Sequence, residues 1–220
     1  VTATLPLPLL RGPALAARGF AHAFTTRDGG VSEGPFASLN LGAAVGDDPD
    51  HVRENHLRLA RAVGFDSASL HQTHQVHGGA VWTHRGDADP RLTRAVEADA
   101  LVAHSPGVAV AVRVADCVPV LLGDSRTGAV AAVHAGWRGV VKGVVAQALD
   151  ALRPRAHEDV VAAVGPSIGP CCFEVGDDVA AEIASSVTVP VVIPRPGAKP
   201  RVDLWRAVEG QLRALGVSQV

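Results

Sequence analysis

Residues 107–117 read GVAVAVRVADC, and residues 118–122 continue as VPVLL. Both runs are rich in β-branched residues with few polar interruptions, which predicts strands. Asp124-Ser125-Arg126-Thr127-Gly128 supplies a turn, and Ala129 to His134 reads as a third strand. Two strands about a short turn make a hairpin. The runs are nearly continuous rather than cleanly alternating, so the sheet is expected to be covered on both faces. After Gly139 the period changes. Val140, Val141, Val144, Val145, Ala148, Leu149 and Leu152 form one helical stripe.

Outward from this centre, residues 46–64 read as a helix capped by Asp48, with Pro49 in its first turn and Gly64 as its stop. Val160 to Val164 is a short strand. Asp177 or Asp178 caps a helix through Ser185. Asp203 caps the last helix, with Leu204, Val208, Leu212 and Leu215 on one face and Gly216 at its end. Residues 25–34 and 194–200 are loops. Strands in hairpins with helices between groups define an α/β (mixed α+β) class: one layered domain over residues 1–220, with a central mixed sheet and flanking helices.

Composition narrows the function. The chain has 220 residues, 47% of them hydrophobic and 19% charged, enough for one domain with a buried core. Its 20 Lys+Arg against 22 Asp+Glu give a net charge of −2, without the basic excess of a nucleic-acid coat protein. No apolar run reaches about 18 residues, so no membrane span is expected. The apolar first ten residues hold two prolines and no basic start, unlike a signal peptide. Three cysteines are too few for a disulfide framework, which makes a reducing cytoplasm the expected compartment. No GxGxxG or P-loop motif is present.

Three segments carry candidate chemistry: His71-Gln72-Thr73-His74-Gln75-Val76-His77-Gly78, Ala115-Asp116-Cys117, and Val133-His134-Ala135-Gly136-Trp137-Arg138-Gly139. Two strands, residues 110–117 and 129–134, would bring Cys117 and His134 together at their far ends. Two imidazoles and one thiolate suit zinc with an open fourth position, the catalytic arrangement. A thiolate also suits copper, so the ligand set does not choose the metal. Other readings of the same residues are a Cys–His nucleophile pair and, for Cys117, a small buried hydrophobe. His71 and His74 are expected at the surface or behind the site. Cys171 and Cys172 are adjacent, so a mutual disulfide would be strained, and they read as buried structural residues. Arg27 and Arg138, in glycine-rich loops, suit recognition of phosphate or carboxylate. Gly165 to Pro170 reads as a turn that could line a pocket.

Taken together and in order, several stretches resemble a known family. They are residues 25–32 (TTRDGGVS), 38–42 (SLNLG), 45–48 (VGDD), 75–78 (QVHG), 98–100 (ADA), 115–120 (ADCVPV), 134–139 (HAGWRG), 165–169 (GPSIG) and 173–176 (FEVG). The set is similar to the YfiH-like, laccase-domain family, labelled multicopper polyphenol oxidase and now assigned as purine nucleoside phosphorylases with adenosine deaminase activity. The resemblance implies zinc held by His77, Cys117 and His134, with Arg27 and Asn40 at motif positions near the pocket. It also implies a Cys-Thr and a Phe-Ser-x-Arg-Arg segment further on, and the sequence ends at Val220 before either.

The expected activity is therefore phosphorolysis of adenosine, inosine and 5′-methylthioadenosine, plus deamination of adenosine. Its partners are small purine nucleosides and phosphate, with no nucleic acid or membrane. Arg27, and with it Arg138, would clamp the phosphate. Asp116 and Asp99 are the candidate carboxylates for proton transfer in deamination, where a metal-activated water would attack C6 of adenine. The alternatives are a copper-dependent phenol oxidase at the same ligands, a metal-free Cys–His hydrolase, and a binding module without turnover.

Overall fold

A computed structural model describes residues 7–220. Near its start, β1 (Leu9–Leu10) and β2 (Phe24–Thr25) pair antiparallel around the short helix α1 (Pro13–Ala17). Helix α2 (Pro49–Val63) follows. Its Asp48 carboxylate accepts from the Asp50 N–H, and Gly64 ends it in the left-handed conformation, as the sequence predicts. Next come β3 (Leu70–His71), β4 (Val81–Thr83), the short α3 (Pro90–Thr93), β5 (Ala100–Ala103) and β6 (Ala109–Val110). The hairpin β7 (Val118–Asp124) and β8 (Val130–Ala135) leads into α4 (Trp137–Val141) and α5 (Val144–Leu152). The rest is β9 (Val160–Val164), α6 (Asp177–Ser185), β10 (Val192–Ile193), β11 (Arg201–Val202) and α7 (Leu204–Ala214).

The main sheet has five strands in the order β4-β5-β8-β7-β9, with β4 and β5 parallel and the other pairs antiparallel. The fold is mixed α/β, as expected. Both faces are covered. Val120, Leu122, Val133 and Ala162 turn to one side, against Val145, Leu149, Val208 and Leu212 of α5 and α7. Val161 and Ala163, the alternate residues of β9, pack instead on Leu15 and Phe24. No helix among the described residues is long and apolar enough to cross a membrane.

Several expectations need correction. Residues 107–117 are not a strand of this sheet. Only Ala109–Val110 pairs, parallel to β3. Beyond it, the Gln75 side chain takes the place of a neighbouring strand. Its Nε2 donates to the Arg113 carbonyl at 2.7 Å, and the Arg113 N–H donates to its Oε1 at 2.8 Å. Strand propensity in this run is overridden by tertiary context. The helical stripe after Gly139 is two helices, broken where Gly143 adopts φ 72°. Gly176, not Asp177 or Asp178, occupies the N-cap of α6, and both carboxylates sit in its first turn. Cys171 and Cys172 are exposed rather than buried.

Of the two places expected for it, His71 takes the buried one. Its ring stacks on Trp82 at 5.0 Å and meets His84 edge-on at 5.0 Å, and its Nδ1 pairs with the Thr93 hydroxyl at 3.0 Å. Burial and the nearby His84 lower the His71 pKa below its ordinary value, against an upward pull from Asp89. The neutral ring therefore favours the folded state. That contribution is present above the ordinary histidine range and is lost as pH falls through it towards the lowered folded value. Urea midpoints measured from pH 7 to pH 5 should fall, and the fall should be smaller in His71→Phe, which keeps the stack but does not titrate.

Candidate metal centre

The hairpin brings two of the three expected ligands together. Val118 pairs with Ala135 in the register of β7 and β8. Cys117 therefore stands just outside one strand while His134 is the penultimate residue of the other. The pairing that joins them is that of β7 with β8, not a strand over residues 110–117.

The third ligand, His77, comes from a distant bend. The exposed His74 fixes that bend against the segment before β5: its N–H donates to the Val96 carbonyl, and its carbonyl accepts from the Ala98 N–H. One ligand atom from each of His77, Cys117 and His134 then lies within 4.8 Å of the other two.

Asp99 organises the set. It is fully buried, and its carboxylate accepts from the N–H groups of Val76 at 3.2 Å, His77 at 2.9 Å and Gly78 at 2.7 Å. It also accepts from His134 Nδ1 at 2.7 Å. An ionised carboxylate only accepts, so Nδ1 carries the proton and Nε2 is left free to coordinate. His77 itself adopts φ 57°, a conformation unfavourable for a residue with a Cβ. The three N–H bonds to Asp99 offset that cost. Burial pushes the Asp99 carboxyl up, but the hydrogen bonds from His134, Gly78 and Val76 outweigh it and hold it low.

The cysteine is set differently. Burial, with the negative charges of Asp116 and Asp99, pushes the Cys117 thiol up. A metal-free cysteine nucleophile needs the opposite shift. Burial also lowers His134, against the hydrogen bond it donates to Asp99, which favours the neutral imidazole that a metal needs. The His134 and His77 imidazoles and a thiol that a cation would ionise are together a donor set able to hold a metal ion.

Glycines make room for this cluster. A Cβ on Gly136 would lie 3.0 Å from Cys117 Sγ and 3.0 Å from His77 Cδ2. One on Gly139 would lie 3.1 Å from the Gly78 carbonyl oxygen. These contacts were missed in the sequence, where the only signal was a pair of glycines flanking Trp137-Arg138.

The remaining expected residues are held by contacts of their own. Asp116 is exposed beside Cys117, and its carbonyl accepts from the Ile168 N–H at 2.9 Å. Arg138 lies in helix α4, not in a loop, with its guanidinium 4.4 Å over the Trp137 ring. Arg27 is exposed and donates through Nε and Nη2 to the Ala37 carbonyl. Asn40 donates to the Asp47 carboxylate at 2.8 Å. Among the described residues no hydrogen bond joins Arg27 or Asn40 to the three ligands. Their loop is held by Asn55, fully buried on α2, which accepts from the Val31 N–H and donates to Ser32 Oγ and the Ser38 and Asn40 carbonyls. Residues 165–170 line a cavity of about 820 Å³ with Arg11, Phe24 and Trp205, and none of the three ligands lines it.

The chain is an α/β protein with a His-Cys-His centre built on a hairpin. It belongs to the family described as multi-copper polyphenol oxidoreductase laccase, whose profile matches residues 21–220. A purine nucleoside phosphorylase of Deinococcus radiodurans is 41% identical over 219 residues, spanning 97% of this chain and 81% of that protein. The purine nucleoside phosphorylase YfiH of Escherichia coli is 39% identical over 204 residues, spanning 92% and 82%. Among solved structures, YlmD from Geobacillus stearothermophilus superposes with a TM-score of 0.80 at 35% identity, covering 89% of this chain and 76% of that one.

Two outcomes are expected. Asp99→Asn should weaken binding of Zn²⁺ by about 10–100-fold, the usual effect of removing a carboxylate behind a histidine ligand, with competitive chelator titration as the measurement. Gly136→Ala should weaken it as well while leaving the far-UV circular dichroism unchanged, because the added methyl presses on two ligands and on no core residue.

Proposed function

We propose that the chain is a zinc-dependent purine nucleoside phosphorylase acting on adenosine, inosine and 5′-methylthioadenosine, with adenosine deaminase activity. One observation carries this reading: His77, Cys117 and His134 converge on one point with Asp99 behind them. Membership of a family whose relatives are named purine nucleoside phosphorylases supports the reaction class. His77, Cys117 and His134 would hold the zinc, which when bound supplies a Lewis acid able to polarise a substrate oxygen or nitrogen.

In phosphorolysis, phosphate attacks ribose C1′ as the bond to the purine breaks, and charge builds on the departing base. Arg27 is the residue we assign to the phosphate. Its guanidinium is exposed, is oriented by the Ala37 carbonyl, and keeps further N–H donors for an anion. Arg138, with its guanidinium 4.4 Å over Trp137, is a second exposed cation, four residues after His134 in the chain. Asn40 shapes the Arg27 loop through Asp47. Asp99 keeps His134 in one tautomer. Its oxygens are fully committed and buried, so it does not reach substrate. Asp116, exposed next to Cys117, is the carboxylate free to exchange protons with solvent during deamination.

The copper oxidase reading rests on the family's description. A multicopper cluster needs more ligands than one triad, and the described residues contain a single group of three. Upward displacement of the Cys117 thiol argues against the metal-free hydrolase.

The test is purine release from the three nucleosides by metal-analysed protein, with and without phosphate. Release should require phosphate and fall by at least about 100-fold in Cys117→Ala, together with loss of zinc. Full turnover of metal-free Cys117→Ala would overturn the zinc role. Asp116→Asn should lower ammonia release from adenosine more than it lowers phosphorolysis.

A further inference from the structure

Cys171 and Cys172 lie outside the metal centre, in the turn between β9 and α6, and the phosphorylase reading gives them no role. Both are exposed, and their sulfur atoms are 3.2 Å apart. Two free thiols at that separation, both open to solvent, form a vicinal dithiol. The turn holds them there: the N–H groups of Cys172 and Phe173 both donate to the Gly169 carbonyl at 3.0 Å.

We propose that Cys171 and Cys172 are a reversible oxidation site, closed to an intrachain disulfide by hydrogen peroxide and reopened by a thiol reductant. The thiolate of one cysteine attacks a peroxide oxygen. An S–O bond forms, the O–O bond breaks, and the departing hydroxide takes up a proton to leave as water. The second thiol then attacks the sulfenic sulfur. The S–S bond forms, the S–O bond breaks, and a second water leaves with the thiol proton. Two thiols are oxidised by two electrons, and one peroxide is reduced to two waters.

Two features suit this chemistry. The resolving thiol is already in contact with the sulfur that would be oxidised, so the second step needs no rearrangement of distant chain. The hydrogen bond and charge of Cys171 push the Cys172 thiol up, against a downward pull from Arg201, because the two sulfurs are in direct contact. Adjacent Cα atoms are about 3.8 Å apart, shorter than the usual disulfide span of about 4.4–6.8 Å. The closed bond is therefore strained. Strained, exposed disulfides are the labile ones that ordinary thiols reopen.

The test uses the zinc-loaded full chain and its Cys117→Ser variant, each treated with one equivalent of hydrogen peroxide. Free thiols are counted by alkylation after unfolding, and the intact mass is read on a separate, unalkylated sample. Both proteins should lose two thiols and about 2 Da without dimer formation, with the link mapped to the peptide holding residues 171 and 172, and dithiothreitol should restore both thiols. Cys171→Ser and Cys172→Ser, which change only exposed side chains, should fold with unchanged thermal midpoints and show no such loss. Retention of both thiols, added oxygen on either sulfur without the 2 Da species, or a bond between two chains would each overturn the proposal.

Discussion

The carboxylate of Asp99 is the constraint on which the centre depends. One buried group accepts four hydrogen bonds, three from consecutive backbone amides and one from an imidazole. The amide bonds hold His77 in a backbone conformation it would otherwise avoid, and the imidazole bond fixes the tautomer of His134. A single negative charge thus sets the position of one ligand and the protonation of another. Its own burial would raise its pKa, so it stays ionised only because those donors are in place. Ligand and support are mutually dependent. Geometry is strongly specified here although His77 lies in a loop.

The hairpin supplies the other half. Antiparallel pairing of β7 with β8 places Cys117 opposite the end of β8 whatever the surrounding loops do. Buried strands on both faces make that register hard to slip, since a shift by one residue would turn Val120 and Val133 away from α5 and α7. The same register keeps Gly136 opposite Cys117, where a larger residue would crowd the sulfur.

Much of this was legible in the sequence. The turn at residues 124–128, the cap and stop of α2, the α7 stripe and the strand at Val160–Val164 all follow local rules, and the structure bears them out. What escaped local reading depends on contacts remote in the chain. Residues 111–116 carry strand-like composition, yet Gln75 from another segment occupies the pairing position. Asp99 stood beside Asp116 as a candidate carboxylate, and nothing local to it announces the four donors that converge on it from residues 76–78 and 134. Asn55 gave no signal, because one polar residue on a helix face cannot announce that a distant loop will wrap around it. The cysteine pair was read as buried from the average habit of the residue, whereas the tight turn after Pro170 lifts both side chains into solvent.

The origin of the three ligands has a further consequence. His134 belongs to the sheet and Cys117 stands one residue outside it, while His77 belongs to a bend tethered by hydrogen bonds. An ion shared by them would act as a staple, removing chain entropy from that bend in the way a cross-link does. The bend also carries Gln75, which anchors Arg113 and so the segment leading into Cys117. With an ion in place, its occupancy and the order of residues 74–79 and 111–117 would form one cooperative unit.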